Sequence, residues 1–272
     1  METSRRRVCN EVLEVLVIER NELIDAWRRE EQQPFVGWDF SYVAGRMLED
    51  QAPWSYSARA AALMQQSSSL VDLGTGGGER LLSFQAHWPK KVVATEEYPP
   101  NYKLATERLS PLGVHVVQAR LTNDDPLPFA DDEFDLVLNR HSGFNSHDVA
   151  RILAPGGIFF TQQVHGLWAY DLLAAFDATP QWPNATPQKY VPQLEAAGLS
   201  IVDVQDWEGR FWFTDVGAIV YYLKAVPWLV PGFSVATHLH YLLNLQERLD
   251  RGEALAFAAK KYVIEAQKLK YS

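Results

Sequence analysis

Three glycines, Gly74, Gly76 and Gly78, follow a short apolar run that contains Asp72. Glycine has no Cβ atom and adopts positive φ readily, so this spacing permits a tight turn and lets a ligand approach the backbone. Glu79 stands where a helix would begin. The segment therefore predicts a ligand-binding turn between a strand and a helix.

The residues around these glycines disfavour two common nucleotide-binding motifs. A P-loop requires Lys and then Ser or Thr, whereas Glu79 and Arg80 follow the last glycine. A dinucleotide-binding turn requires Gly or Ala where Glu79 stands, three residues after Gly76. Asp72 would repel a pyrophosphate at the helix N-terminus but attract an ammonium group. These features favour S-adenosylmethionine, which carries an ammonium and no phosphate.

At this turn the chain resembles the class I S-adenosylmethionine-dependent methyltransferases, whose first motif is an acidic residue followed by Gly-x-Gly-x-Gly. The resemblance implies a doubly wound α/β fold, S-adenosylmethionine as methyl donor and S-adenosylhomocysteine as product. It also implies that the cofactor contacts Asp72, Gly74, Thr75, Gly76 and Gly78.

The resemblance continues downstream in the family's order. Glu96 ends the next apolar run and is expected to accept hydrogen bonds from both ribose hydroxyls, with Glu97 as the alternative. Either Asn123 or Asp124, before a Leu-Pro-Phe segment, is expected to face the adenine. Residues 153–157, Leu-Ala-Pro-Gly-Gly, resemble the turn into the family's fifth strand. Four motifs in this order support the resemblance over residues 69–164.

Polar residues after the fourth and fifth predicted strands are the candidates for the chemistry. Methyl transfer is an in-line displacement, so the protein mainly holds nucleophile, carbon and sulfur collinear in a dry site. His141 is the candidate general base or substrate-orienting group, because histidine titrates near neutrality; alternatively, it only bonds a loop carbonyl. Asn139 is assigned to the cofactor and Gln162 to the substrate.

Motifs of several other methyltransferase chemistries are missing from the sequence. The Asn/Asp-Pro-Pro-aromatic tetrapeptide of amino-methylating nucleic-acid enzymes is replaced by Asn139-Arg140-His141-Ser142. Cys9, the single cysteine, lies too far upstream for attack on a pyrimidine. Metal-dependent catechol chemistry usually has acidic residues where Asn139 and Gln162 stand. We therefore expect metal-independent transfer to an O, N or C atom.

Aromatic and basic side chains outside the shared core are candidates for a substrate pocket, since aromatic rings enclose apolar or planar molecules. We single out Trp38, Arg46 and Tyr221. The aromatic residues could equally form ordinary core. Arg46 suits a cofactor carboxylate, an acidic substrate or a structural ion pair.

Short apolar runs alternating with helical stretches predict the elements that position these residues. The predicted strands are 69–73, 91–96, 114–118, 134–139, 157–164, 199–204 and 257–264. This alternation is typical of a doubly wound, mostly parallel seven-stranded sheet. An amphipathic helix over 9–27 extends the N-terminus. Asp215 is expected to cap an inserted helix that ends before Pro227, ahead of the last strand.

These elements suggest an N-terminal helix and aromatic lid segment over 1–56. The methyltransferase domain is then expected over 57–272, with substrate-side additions at 208–256.

Composition narrows the partners and the cellular location. The net charge of −9 disfavours a surface that neutralises phosphates, although Arg5-Arg6-Arg7 is a dense basic run. A single cysteine excludes an intramolecular disulfide and a cysteine-cluster zinc site. No apolar run approaches the length of about 18 residues that a membrane-spanning helix needs.

We therefore expect a cytoplasmic monomer or homodimer that acts on a small-molecule methyl acceptor. The alternatives are an rRNA or tRNA methyltransferase and a non-catalytic cofactor-binding protein.

Overall fold

The computed structural model describes residues 20–121 and 126–270. Within the predicted N-terminal helix, residues 20–31 are helical, and the part before residue 20 lies outside the described chain. Asn123 and Asp124, the two candidates for the adenine contact, also lie outside it.

Eight strands of the described chain form one sheet. They are β1 (Met47–Glu49), β2 (Ser69–Leu73), β3 (Lys91–Glu96), β4 (His115–Gln118), β5 (Phe134–Arg140), β6 (Leu153–Val164), β7 (Leu199–Phe213) and β8 (Leu255–Lys268). Their order across the sheet is β1-β7-β8-β6-β5-β2-β3-β4. Strands β2 to β6 are parallel, β8 is antiparallel to β6, and β1 is antiparallel to β7. The predicted mostly parallel α/β fold is confirmed.

The predicted number of seven strands is corrected to eight by the short strand β1. This strand has three residues, which is too few to show the alternation that marks a strand in a sequence. It pairs with Phe211–Phe213 at the end of β7. β7 itself continues well past the predicted end at Val204.

Helices connect these strands. They are α1 (residues 20–31), α2 (Tyr56–Met64), α3 (Glu79–Leu82), α4 (Pro99–Leu109), α5 (Ser146–Ile152), α6 (Tyr170–Ala174), α7 (Pro187–Ala196), α8 (Val216–Ala225) and α9 (Leu239–Asp250). Short 3₁₀ turns lie at Ser41–Val43, Gln85–His87 and Ser110–Leu112. As the sequence predicts, Asp215 caps α8 by accepting a hydrogen bond from the Ala218 N–H.

Both faces of the parallel strands are covered by apolar side chains, because successive residues of a strand point to opposite faces. On β2, Leu70 packs in one cluster with Ala60 and Leu63 of α2. Val71, the next residue, packs in a second cluster with Phe159 of β6. Polar groups of this sheet are therefore available to a ligand mainly where the strands end.

The chain folds as two compact units. The smaller unit comprises Met1–Glu49, Ala169–Gln181 and Arg210–Ala258, as far as these are described. The larger unit comprises Asp50–Trp168, Trp182–Gly209 and Ala259–Ser272, again within the described residues. The glycine turn and strands β2 to β6 belong to the larger unit.

Arg46 forms an ion-pair network inside the smaller unit. Its guanidinium donates to both oxygens of Asp215, at 2.9 and 2.7 Å, and to Glu30 at 2.9 Å. Since Asp215 also caps α8 and Glu30 lies on α1, this one side chain links two helices of the unit to the segment before β1.

We predict that Arg46→Met lowers the free energy of unfolding by about 1–2 kcal/mol, because it breaks charged hydrogen bonds that are only partly exposed to water. Urea unfolding measures the change. Arg28→Met is the matched control, since Arg28 pairs with Asp25 in an exposed bridge. An equal effect of the two substitutions would contradict a structural role for the Arg46 network.

Candidate cofactor and methyl-transfer site

The turn after β2 requires glycine for two distinct reasons. Gly74, Gly76 and Gly78 all have positive φ, at 72°, 63° and 83°. A Cβ atom on Gly74 would lie 2.3 Å from the Ser142 hydroxyl oxygen, and one on Gly78 would lie 2.8 Å from Leu109. The turn is thus strained for other residues and also packed too closely to hold their side chains.

The turn is held against the end of β3 by hydrogen bonds from its own N–H groups. Gly74 donates to the Thr95 hydroxyl at 3.1 Å, and Thr75 donates to the Thr95 carbonyl at 2.8 Å. Gly76 donates to a carboxylate oxygen of Glu96 at 2.8 Å. The position of the turn therefore depends on the last two residues of β3.

Glu96 is buried with acceptor capacity left over. Its second carboxylate oxygen accepts from the Tyr98 N–H at 2.9 Å, so each oxygen accepts one backbone hydrogen bond. A carboxylate oxygen has two lone-pair sites, and each can accept a further hydroxyl. The Glu96 carboxylate can therefore accept hydrogen bonds from the two ribose hydroxyls of S-adenosylmethionine.

A cavity of about 670 Å³ opens beside Glu96. Its lining comes from the glycine turn, the ends of β3 and β4, and the segment after β5. The lining residues are Gly74, Glu96, Glu97, Tyr98, Pro99, Gln118, Ala119, Arg120, Leu121 and Ser142. The cavity thus lies at the carboxyl ends of parallel strands, where open α/β sheets bind their ligands.

The Thr75 hydroxyl is buried in the glycine turn beside the Asp72 carboxylate, and it makes no hydrogen bond of ordinary length in the described chain. Buried polar groups are normally satisfied. A hydroxyl so placed is available to a polar ligand.

Asp72 is a buried carboxylate at the end of β2. Burial raises its pKa to about 6; the Thr75 hydroxyl and the nearby Arg140 oppose the rise, and the charge of Glu96 adds to it. Most of Asp72 is therefore ionised at pH 7 although its surroundings favour the neutral acid. A cationic ligand group would relieve this unfavourable charge.

Asn139 lies on β5 with its side chain fully buried and fully hydrogen-bonded. Its amide nitrogen donates to the carbonyls of Leu73 and Gly143, and its oxygen accepts from Thr161 and Gln163. These four bonds satisfy both amide hydrogens and both acceptor sites of the Asn139 side chain, so none remains for a ligand. The structure thus places this candidate cofactor ligand behind the glycine turn as a support.

His141 follows β5 and is linked to Gln162 and Trp54. The His141 Nε2 atom lies 3.1 Å from the Gln162 Nε2 atom, and the Trp54 indole N–H donates to the Gln162 Oε1 atom at 2.9 Å. His141 has a positive φ of 57°, which non-glycine residues seldom adopt and which often marks functional sites.

The pKa of His141 is lowered well below its usual value. Loss of water around the ring is the main cause, and the positive charges of Arg140, Lys261 and Arg80 add to it. His141 is nonetheless an exposed residue by its accessible surface. We therefore expect a neutral ring at pH 7, on a residue open to solvent.

The other predicted substrate residues, Trp38, Arg46 and Tyr221, belong to the smaller unit. The rings of Trp38 and Tyr221 both pack on Phe35, with centroids 5.9 and 6.2 Å away. Arg46 is engaged by Glu30 and Asp215, the structural ion pair that was one of its expected roles.

Sequence reasoning missed three residues that shape the site. Trp54 precedes α2 outside any motif, and nothing in the sequence pairs it with Gln162. Thr95 was overlooked beside the more prominent Glu96. Ser142 follows His141, and that adjacency was the only available signal.

The described residues contain no group of three or more His, Cys, Asp or Glu side chains placed to hold a metal ion. Among the described helices, none has the length and apolar character needed to cross a bilayer.

The described region that holds the glycine turn matches a known family. The methyltransferase domain family matches residues 71–161, which run from within β2 to within β6. No curated protein matches the chain.

Solved structures share the fold at low sequence identity. BH2331 of Bacillus halodurans, described as a candidate methyltransferase, has a TM-score of 0.56 and 18% identity; the match covers 79% of this chain and 97% of that one. YcgJ of Bacillus subtilis has a TM-score of 0.56 and 16% identity over 79% of this chain and 98% of its own. A functionally unknown protein of Deinococcus radiodurans has a TM-score of 0.56 and 14% identity over 82% and 90%.

Residues 71–161 thus match the methyltransferase domain family, and the chain shares its fold with BH2331.

Proposed function

We propose that this protein uses S-adenosylmethionine to methylate an O, N or C atom of a small molecule. The observation that carries the proposal is Glu96, a buried carboxylate that supports the glycine turn and retains acceptor capacity beside a cavity. A carboxylate so placed is suited to a ligand with two adjacent hydroxyls and unsuited to a phosphate.

The ribose and the methionine part of the cofactor each have a candidate partner in the larger unit. Glu96 would bind the ribose hydroxyls, and the backbone from Gly74 to Gly78 would contact the methionine chain. Asp72 would attract the ammonium group. Asn139 would act by holding the turn in place, because its own amide is already bonded. When bound, S-adenosylmethionine supplies a methyl group on a sulfonium.

Two observations support a small acceptor and metal-independent chemistry. The net charge of −9 disfavours nucleic acid as the substrate. His141, which follows β5, and Gln162, which lies on β6, are neutral and do not form an acidic metal site. Trp38 and Tyr221, in the smaller unit, are the proposed aromatic contacts for the acceptor. We further propose a cytoplasmic monomer or homodimer.

We predict that Glu96→Ala lowers the affinity for S-adenosylmethionine about 10–100-fold, because it removes charged hydrogen bonds to the ribose. Titration calorimetry measures the affinity. Glu97→Ala is the control, since the neighbouring Glu97 instead pairs with Arg120 at 3.2 Å. Full affinity in Glu96→Ala would overturn the ribose assignment, and no binding by the wild type would overturn the proposed function.

We predict that Asp72→Asn stabilises the cofactor-free protein by about 1–3 kcal/mol at pH 7 while weakening cofactor binding. The folded pKa of Asp72 is raised from 3.8 to about 6, so its protonated form favours folding. That contribution is complete below 3.8 and lost as the pH rises through about 6. The gain measured by urea unfolding should therefore shrink towards pH 4.

The control for this substitution is Glu133→Gln. Glu133 bonds Lys91 and the Ala130 N–H, both at 2.7 Å, so its neutralisation should destabilise the protein. Stabilisation by both substitutions would show that the effect does not arise from the buried site of Asp72.

The acceptor class is tested by transfer of a tritiated methyl group to metabolite pools and, separately, to RNA. Label in small molecules is the expected result. Label in RNA alone would overturn the small-molecule assignment and leave the cofactor assignment intact.

A further inference from the structure

The orientation of the Gln162 side chain is fixed by Trp54. An indole N–H can only donate, so the Gln162 atom 2.9 Å from it is the amide oxygen. Gln162 is buried, and rotating its amide by half a turn would place two donors against each other. The amide nitrogen of Gln162 is thereby directed at His141.

This arrangement decides which nitrogen of His141 carries the proton. The Gln162 amide nitrogen donates, so the His141 Nε2 atom 3.1 Å away must accept. A neutral imidazole with an accepting Nε2 atom has its proton on Nδ1. The His141 backbone N–H also donates to the Gln162 carbonyl at 2.9 Å, which holds the two residues in register.

Protonation of His141 is opposed by the same contact. A proton on Nε2 would face the N–H of Gln162 and remove a hydrogen bond. The charged groups acting on the ring are Arg140, Lys261 and Arg80, all cations, and with desolvation they lower the pKa of His141. His141 is thus a poor general base, and the Nδ1–H group, for which the described chain supplies no partner, is a hydrogen-bond donor.

We propose that Trp54 and Gln162 are positioning residues that hold His141 as the neutral Nδ1–H tautomer, and that this N–H binds an oxygen anion of the methyl acceptor. The inference rests on the proposed function and names its substrate class: a carboxylate, an enolate or a phenolate. The cations around His141 favour an acceptor that arrives ionised.

The reaction balances without a base. A lone pair of the acceptor oxygen forms the new O–C bond while the C–S bond breaks and its electron pair remains on sulfur. The acceptor loses its negative charge and the sulfonium becomes a neutral thioether. No proton moves, so His141 only has to orient the oxygen and stabilise its charge before transfer.

Two-bond ¹H–¹⁵N spectra of the imidazole rings test the tautomer directly in the full-length protein without cofactor. The His141 signals are identified by their loss in His141→Gln. The wild type should show the Nδ1–H pattern and remain neutral well below pH 6.5, the ordinary histidine pKa. An Nε2–H pattern, or titration of His141 near pH 6.5, would overturn the proposal.

Trp54→Phe removes the indole N–H and retains an aromatic ring. It should give His141 a mixture of tautomers and a raised pKa. The control is Trp88→Phe, because Trp88 also loses an indole hydrogen bond, to the Leu81 carbonyl at 3.0 Å, without contacting Gln162. Unchanged His141 spectra in Trp54→Phe, or equal changes in both variants, would show that Trp54 does not set the tautomer.

Acetate and acetamide, which have nearly the same shape, test the preference for an anion. Acetate should shift the His141 Nδ1 resonance in the millimolar range and acetamide should not. An equal response to both, or no response to acetate, would overturn the substrate class. Because these spectra need no cofactor, failure here is distinguishable from failure of cofactor binding in calorimetry.

Discussion

The buried side chain of Asn139 ties together the ends of three parallel strands. From β5 it donates to the Leu73 carbonyl at the end of β2 and accepts from Thr161 on β6. A further bond to the Gly143 carbonyl holds the loop that carries His141. Breaking any one of these hydrogen bonds would leave a buried polar group unsatisfied. The free energy of unfolding would fall by a large fraction of its total value. The proposed cofactor side and the proposed acceptor side of the site therefore share one support.

The parts of the fold that local chemistry determines were predictable from the sequence. Strands β2, β3 and β5 are buried along most of their length and give short apolar runs. The glycine turn was predictable because positive φ leaves few other residue choices, and Glu96 was singled out through the resemblance to the methyltransferase family. Asp215 was recognisable as a helix cap since its position before an apolar stretch has a local meaning.

The parts that depend on contacts distant in sequence were not predictable. Asn139 was assigned to the cofactor because it follows an apolar run, but its bonding depends on Thr161 and Gln163, which only the folded sheet brings near. The link from Trp54 to Gln162 joins segments on either side of the family match, so no motif contains both. β1 was missed because its pairing with β7 comes from position in the fold and its own sequence has no period.

The side chain of Ser142 fills space that is free only because residue 74 is a glycine. The Ser142 hydroxyl lies where a Cβ atom on Gly74 would stand, although the two residues follow different strands. A side chain at position 74 would therefore displace the serine. Substitution in the glycine turn is thus coupled to the loop after β5, and a sequence could lose this glycine only together with a change in that loop.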